Sequence, residues 1–332
     1  MTISSLDERA LIARIEARVP RAHPALAAGI GDDAALLTPA RNRIEAITTD
    51  MLVEGVHFRR EWSSPEDIGA KAVLVNVSDL GAMGAEPRVA LLSLALPAGL
   101  PLVDFDGLIE GVAAAAREAR IAIAGGNLTR SPGPLVVDVT ALGAVHARKT
   151  LRRDAARPGD ELWVTGTLGA GAAGLRWLER HGVPDGTHPA HPAVRRACRP
   201  VPPLRAGMML SRAGASRAAI DLSDGLADGA RRLAEGSGCG VTLDAAALPI
   251  DPSARAICEA LGLDADRTAL TGGDDYELLF TVSPRNRGRL RSIRARLGAG
   301  ITRIGVLTPG GALLVDARDG TRPLTGGFDH FA

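Results

Sequence analysis

Ile220-Asp221-Leu222-Ser223-Asp224-Gly225-Leu226 sets two carboxylates and a hydroxyl between an apolar run and a glycine. The stretch reads as a strand ending in Asp221, a turn, and a helix opening at Ser223, where backbone N–H groups lack helical partners. Three further acidic knots share its character: Gly31-Asp32-Asp33, Thr48-Thr49-Asp50 and Ser78-Asp79. Each lies in apolar sequence, where an uncompensated carboxylate is costly. Two carboxylates about 4 Å apart repel by about 4 kcal/mol at an effective dielectric of about 20. Convergence of the knots therefore calls for cations or protons. The donors are oxygens only, with neither His nor Cys alongside, a set that selects a hard ion and, beside phosphate, Mg²⁺. Any one knot alone is better read as a cap or a turn.

Outward from the knots, strands and helices alternate. Ser5-Leu6-Asp7-Glu8 fits a capping box, with Leu11, Ile12, Ile15 and Val19 following at helical spacing. Residues 44–49 read as a strand delivering Asp50 at its end. Ser64-Pro65-Glu66-Asp67 opens a helix that places Asp79 on the same face as Ala72, Val75 and Met83. Strands are expected at residues 89–96, 121–124 and 135–145, a helix at 102–117, and a turn at Gly125-Gly126-Asn127. After a charged, Pro- and Gly-containing join come a strand at 161–165, a helix at 170–181 and a long connection at 184–203. Strands at 216–222, 241–243, 276–282, 301–307 and 312–315 and helices at 224–235, 253–261 and 286–297 complete the pattern. This is an α+β chain of two α/β domains, residues 1–148 and 149–332.

The 332 residues suffice for two cores, and a net charge of +1 with three Trp, five Phe and one Tyr argues against a nucleic-acid partner. Cys198, Cys239 and Cys258 have no metal-binding spacing and suit a reducing cytoplasm. Charged residues in the first turns exclude a signal peptide, and Pro97 and Pro101 interrupt the longest apolar run, so no membrane span is expected. Lys71 and Lys149 are the only lysines and neither follows glycine, which closes the P-loop reading. Gly169-Ala170-Gly171-Ala172-Ala173-Gly174 matches a dinucleotide fingerprint, but no strand ending in an acid follows about 20 residues on, so a tight turn is the better reading.

Taken in order, Gly29-Ile30-Gly31-Asp32-Asp33-Ala34, Thr48-Thr49-Asp50 with Glu54-Gly55-Val56-His57-Phe58, Asn76-Val77-Ser78-Asp79 with Met83-Gly84-Ala85, and Gly125-Gly126-Asn127 resemble the thiamine-monophosphate kinase family. So do Arg153 through Gly159-Asp160, Asp221-Leu222-Ser223-Asp224-Gly225, Gly272-Gly273-Asp274-Asp275-Tyr276-Glu277-Leu278 and Gly327-Phe328-Asp329-His330-Phe331. The resemblance implies the aminoimidazole-ribonucleotide-synthetase-like fold, a homodimer joined through the N-terminal sheets, and ATP-dependent conversion of thiamine monophosphate to the diphosphate. It implies Mg²⁺ on Asp33, Thr48, Thr49, Asp50, Asp79, Asn127, Asp221 and Asp224. It also implies ATP at Phe105, Gly126, Asn127, Arg153 and Ser223, and thiamine phosphate at His57, Asp274 and Phe328. The sequence departs from the family where Asn127 replaces a frequent Asp, Phe105 a Tyr, Asp274 a Glu and Phe328 a Trp. With a phosphate nucleophile already ionised, direct transfer needs no catalytic residue apart from the metal ligands. The alternatives are a non-catalytic thiamine-phosphate or nucleotide sensor, a metal-dependent phosphohydrolase, or another ATP-dependent enzyme of the superfamily.

Overall fold

The computed structural model describes residues 1–297, 300–317 and 320–327. They form two compact units, residues 1–80 with 86–147, and residues 81–85 with 148–332. The first holds α1 (Glu8–Glu16), a short hairpin β1 (Leu26–Ala28) and β2 (Leu36–Leu37), β3 (Ile44–Val53), α2 (Pro65–Ala82), β4 (Glu86–Pro97), α3 (Leu102–Ala119), β5 (Ala122–Ser131) and β6 (Val136–Val145). Asp7, rather than Ser5, caps α1 by accepting from the Ala10 N–H at 2.8 Å, because Ile3–Ser5 is already coiled into a 3₁₀ turn. Ser64 caps α2 through the Asp67 N–H as expected.

The sheet order is β3-β6-β4-β5, with only the β4–β5 pair parallel. Alternation divides its faces. Leu52, Val137, Val139, Leu92 and Leu94 are buried on one side, while Ile47 (67% exposed), Met51 (54%) and Leu91 (37%) lie open on the other. The strand expected to stop at Ala124 runs on through Gly125-Gly126-Asn127. A bulge shifts the β4–β5 register between Ala90 and Leu91, and the chain continues as β5 instead of turning. Gly126 is needed there because a Cβ would lie 1.7 Å from the Leu92 carbonyl oxygen.

The second unit holds β7 (Glu161–Thr165), α4 (Ala170–His181), α5 (His191–Cys198), α6 (Leu204–Ala213), β8 (Ala219–Asp221), α7 (Leu226–Gly236) and β9 (Gly240–Asp244). It continues with α8 (Pro252–Leu261), α9 (Ala265–Thr271), β10 (Leu278–Val282), α10 (Arg287–Leu297), β11 (Ile301–Thr308), β12 (Leu313–Ala317) and β13 (Gly320–Pro323). The seven strands run β13-β12-β9-β11-β7-β10-β8. Residues alternate between two cores. Leu162, Val164, Ile220 and Leu279 pack with Leu226, Leu233 and Ile257 on one face, and Ala219, Leu278, Phe280 and Val282 with Leu210, Leu290 and Ile293 on the other. The connection at 184–203 contains α5, and α6, α9 and β13 lie where no element was expected. Among the described residues no helix is long and apolar enough to cross a membrane.

Candidate active site

In the first unit Asp50 lies inside β3 rather than at its end, because pairing with β6 continues to Val53. Thr48 and Asp50 face the helices, and the Thr48 hydroxyl donates to the Asp79 carboxylate on α2. Asp50 is pushed up to about 6 by burial, with the charges of Asp79 and Asp138 adding to it. An arriving positive charge would favour the ionised form of such a carboxylate and lower its pKa again. Asp138 was not singled out from sequence. It sits on β6, takes a 3.3 Å hydrogen bond from the Thr49 hydroxyl, and shares an exposed stripe with Thr140, whose hydroxyl is 3.0 Å from that of Thr49. The signal was its place in an alternating strand, opposite fully buried Val137 and Val139.

Other expected residues stand apart within this unit. Asp33 is exposed between β1 and β2 and makes no hydrogen bond or ion pair among the described residues. Gly126 and Asn127 lie on β5, the edge of the sheet opposite β3, about three strand spacings or roughly 14 Å from Asp50. His57 follows β3, and its Nδ1 accepts from the Val53 N–H at 3.1 Å, which leaves the proton on Nε2. Phe105 is corrected: at 0% exposure it belongs to the core and offers no face to a nucleotide.

In the second unit Asp221 ends edge strand β8 at 7% exposure. Ser223 and Asp224 fall in the turn, and the helix begins at Leu226 rather than at Ser223, because Gly225 takes φ +98°. Arg232 reaches back to Asp224 at 3.4 Å and braces Asp228 at 2.5 Å. Buried Asp228 also pairs with Arg231. Its position four residues after Asp224 on α7 was the missed signal.

The 272–277 segment is zipped to this turn. The Asp274 N–H donates to Ser223 O (2.8 Å), the Tyr276 N–H to Leu222 O (2.9 Å) and the Leu222 N–H to Glu277 O (2.9 Å). Gly273 permits the approach, since a Cβ would lie 2.4 Å from the Ser223 carbonyl oxygen. Asp274 and Tyr276 both hold positive φ, +65° and +50°, an uncommon geometry that concentrates at functional sites. The segment is anchored from beneath. Buried Asp275 accepts from the Gly169 N–H (2.7 Å) and the Gly171 N–H (3.1 Å), and Glu277 accepts from Thr165 and Arg196, each at 2.6 Å. The GxGxxG stretch is thus a clamp on an internal carboxylate, in line with the tight-turn reading.

Arg153 is exposed, and its carbonyl accepts from the Ser237 hydroxyl at 2.8 Å, at the end of α7 opposite Ser223. Gly327 packs against Asp228, with a Cβ at 2.9 Å from the Asp228 Cβ. Phe328 lies outside the described residues. Among those described, no three His, Cys, Asp or Glu side chains converge into a metal cage. The oxygen pairs Thr48/Asp79 with Asp50, and Asp221 with Asp224, still fit Mg²⁺, which keeps most of its shell for water and phosphate and takes one or two carboxylates. Asp50, buried beside the charges of Asp79 and Asp138, is a place where a cation would be favoured.

The chain matches the family "AIR synthase related protein, N-terminal domain" over residues 31–145 and the corresponding C-terminal domain over residues 157–316. It is 40% identical to thiamine-monophosphate kinase of Salmonella typhimurium, covering 98% of each chain. A crystal structure of thiamine-monophosphate kinase from Stenotrophomonas maltophilia is similar at 40% identity and TM-score 0.83, covering 94% of this chain and 97% of that one. A solved structure of AaThiL complexed with AMPPCP and TMP is similar at 31% identity and TM-score 0.78, covering 100% and 99%. The chain belongs to the thiamine-monophosphate kinase family of AIR synthase related proteins.

Proposed function

We propose that this protein transfers the γ-phosphoryl group of ATP to the phosphate of thiamine monophosphate, giving thiamine diphosphate and ADP. The observation that carries the reading is the near-full-length likeness to a relative solved with AMPPCP and TMP. The acid-rich, cation-seeking setting of Asp50 supports it.

The nucleophile is a phosphate monoester with second pKa about 6, already largely dianionic at neutral pH. No base is required to activate it. The obstacle is the approach of two anions. Mg²⁺, when bound, supplies the charge that offsets this repulsion and steadies a loose transition state. Asp33, Thr48, Thr49, Asp50 and Asp79 of the 1–148 domain and Asp221 and Asp224 of the 149–332 domain would hold it, with Asn127 a neutral ligand. Thr48 orients Asp79 by hydrogen bonding, and Arg232 orients Asp224. Gly126, Asn127, Arg153 and Ser223 bind ATP. His57, Asp274 and Phe328 bind the thiamine phosphate, Asp274 being fixed by its zippered segment and His57 by the Val53 N–H. Transfer is direct and in line, without a phosphoenzyme.

The first-unit sheet pairs with that of a second copy through its open face, where Ile47 and Met51 are exposed. The three buried free thiols suit a cytoplasmic setting. Incubation with ATP, Mg²⁺ and thiamine monophosphate should give the diphosphate, with inversion at a chiral γ-phosphorus. Phosphate release alone, or retention, refutes the reading. Asp50→Asn should lower kcat by about 10³-fold or more with an unchanged circular dichroism spectrum.

A further inference from the structure

At the Glu161 end of β7, two strands across the sheet from β8, a cavity of about 450 Å³ is lined by Glu161, Trp163, Arg287, Leu290, Arg291, Arg294 and Arg303. It lies between α10 and strand β11, above β7. Trp163 and Arg303 are register partners on adjacent strands, so both side chains rise from the same face of the sheet. Helix α10 closes the other wall. Its Leu290 and Ile293 enter the core, and Arg287, Arg291 and Arg294 follow one another at helical spacing beside them.

The charges do not balance. Glu161, 3% exposed, accepts two hydrogen bonds from Arg287 (2.5 and 3.1 Å), and Arg303 stands 3.1 Å from it. Burial alone would raise the Glu161 carboxyl, but those guanidinium groups hold it below the usual range. Glu161 therefore braces two arginines, whose side chains remain 58% and 52% exposed. Arg291 and Arg294 have no ion-pair partner among the described residues. The lining thus sets four guanidinium groups against one carboxylate. The helix Arg-Gly-Arg-Leu-Arg-Ser-Ile-Arg-Ala-Arg-Leu contains no acid at all. Like charges three and four residues apart along it repel and destabilise it. A fold that carries this repulsion around a recess gains by admitting an anion.

The recess also has an apolar floor. Trp163 is partly exposed, with its Nε1 buried and turned to Glu161 without closing a hydrogen bond of normal geometry, and Leu290 lies beside it. A volume of this size suits a small molecule rather than a polymer groove. Guanidinium forks match phosphate oxygens bidentately, and an indole face takes a planar ring.

We propose that this cavity is a binding site for a phosphate or diphosphate ester bearing a planar aromatic ring. The phosphate sits on Arg291 and Arg294, with Arg287 and Arg303 completing the rim, and the ring lies on Trp163. The site is distinct from the acidic one and needs no metal. Its existence does not depend on the kinase reading.

ADP and inorganic pyrophosphate serve as probes, titrated calorimetrically in excess EDTA so that metal-dependent binding elsewhere is suppressed. Both should bind the wild-type chain. Arg291→Ala with Arg294→Ala should weaken both at least tenfold. These residues are exposed, so the fold is kept. Trp163→Leu should weaken ADP while leaving pyrophosphate unchanged. Asp221→Asn should retain both signals. Absence of metal-free binding, equal affinity in the double arginine variant, or loss of the signal in Asp221→Asn would each overturn the proposal. So would heparin binding at these arginines that ADP does not displace, which would make the face a polyanion surface.

Discussion

Gly273 is a single residue on which the second-unit site depends. Its hydrogen atom occupies the place where a side chain would strike the Ser223 carbonyl oxygen at 2.4 Å. Backbone cannot yield as a flexible side chain can, so Gly273→Ala should force apart the turn and the segment holding Asp274. The expected cost is about 1–3 kcal/mol of stability, with kcat/KM for thiamine monophosphate falling at least tenfold. Thermal unfolding and steady-state kinetics measure the two. Individual acids were unevenly legible. Asp50, Asp79, Asp221 and Asp224 stood out because apolar neighbours made them anomalous. Asp138 and Asp228 did not, since one acid in an alternating strand or a charged helix resembles ordinary surface. Their significance came from the side chains they touch. Phe105 shows the reverse error, where a family position suggested a ligand contact and burial makes it core.

Among the elements, those with clean apolar periodicity were readable, and α4 matches its expected span residue for residue. Helix α6 was missed behind Pro202-Pro203 and with Gly207 in its middle, both poor signs of a helix. Strand β5 was cut short because two glycines look like a turn until a bulge explains them. The anchoring of α4 gives a pH prediction. Asp275 is pushed up to about 7, chiefly by burial, with the Glu277 charge adding to it and the Gly169 and Gly171 N–H groups opposing. Its folded value lies above the unfolded value of about 4. The folded chain therefore binds more protons across that window, and stability falls as pH rises from about 4 through about 7. Asp275→Asn should remove roughly 4 kcal/mol of this pH-dependent stability, seen in denaturant unfolding at several pH values. An unchanged slope would assign it to other groups.

At the scale of the whole molecule, the mixed helix-and-sheet fold class and the family were legible. A partner for the open sheet face came from the resemblance alone, because a monomeric pattern does not say what covers Ile47 and Met51. Met51→Glu with Ile47→Glu should desolvate two carboxylates at the proposed contact and disfavour pairing. Sedimentation should move from about twice 34.3 kDa to 34.3 kDa. A wild-type mass already at the lower value would rule out the pairing. The clamp at the start of α4 bears on how the chain chooses its ligands. A helix N-terminus preceded by glycines attracts any anion that reaches it. Here the acceptor is the Asp275 carboxyl, tethered by the chain itself and so present at an effective concentration no free metabolite matches. The motif is a lock already filled by its own key, and nucleotides are left to seek the chain's other surfaces.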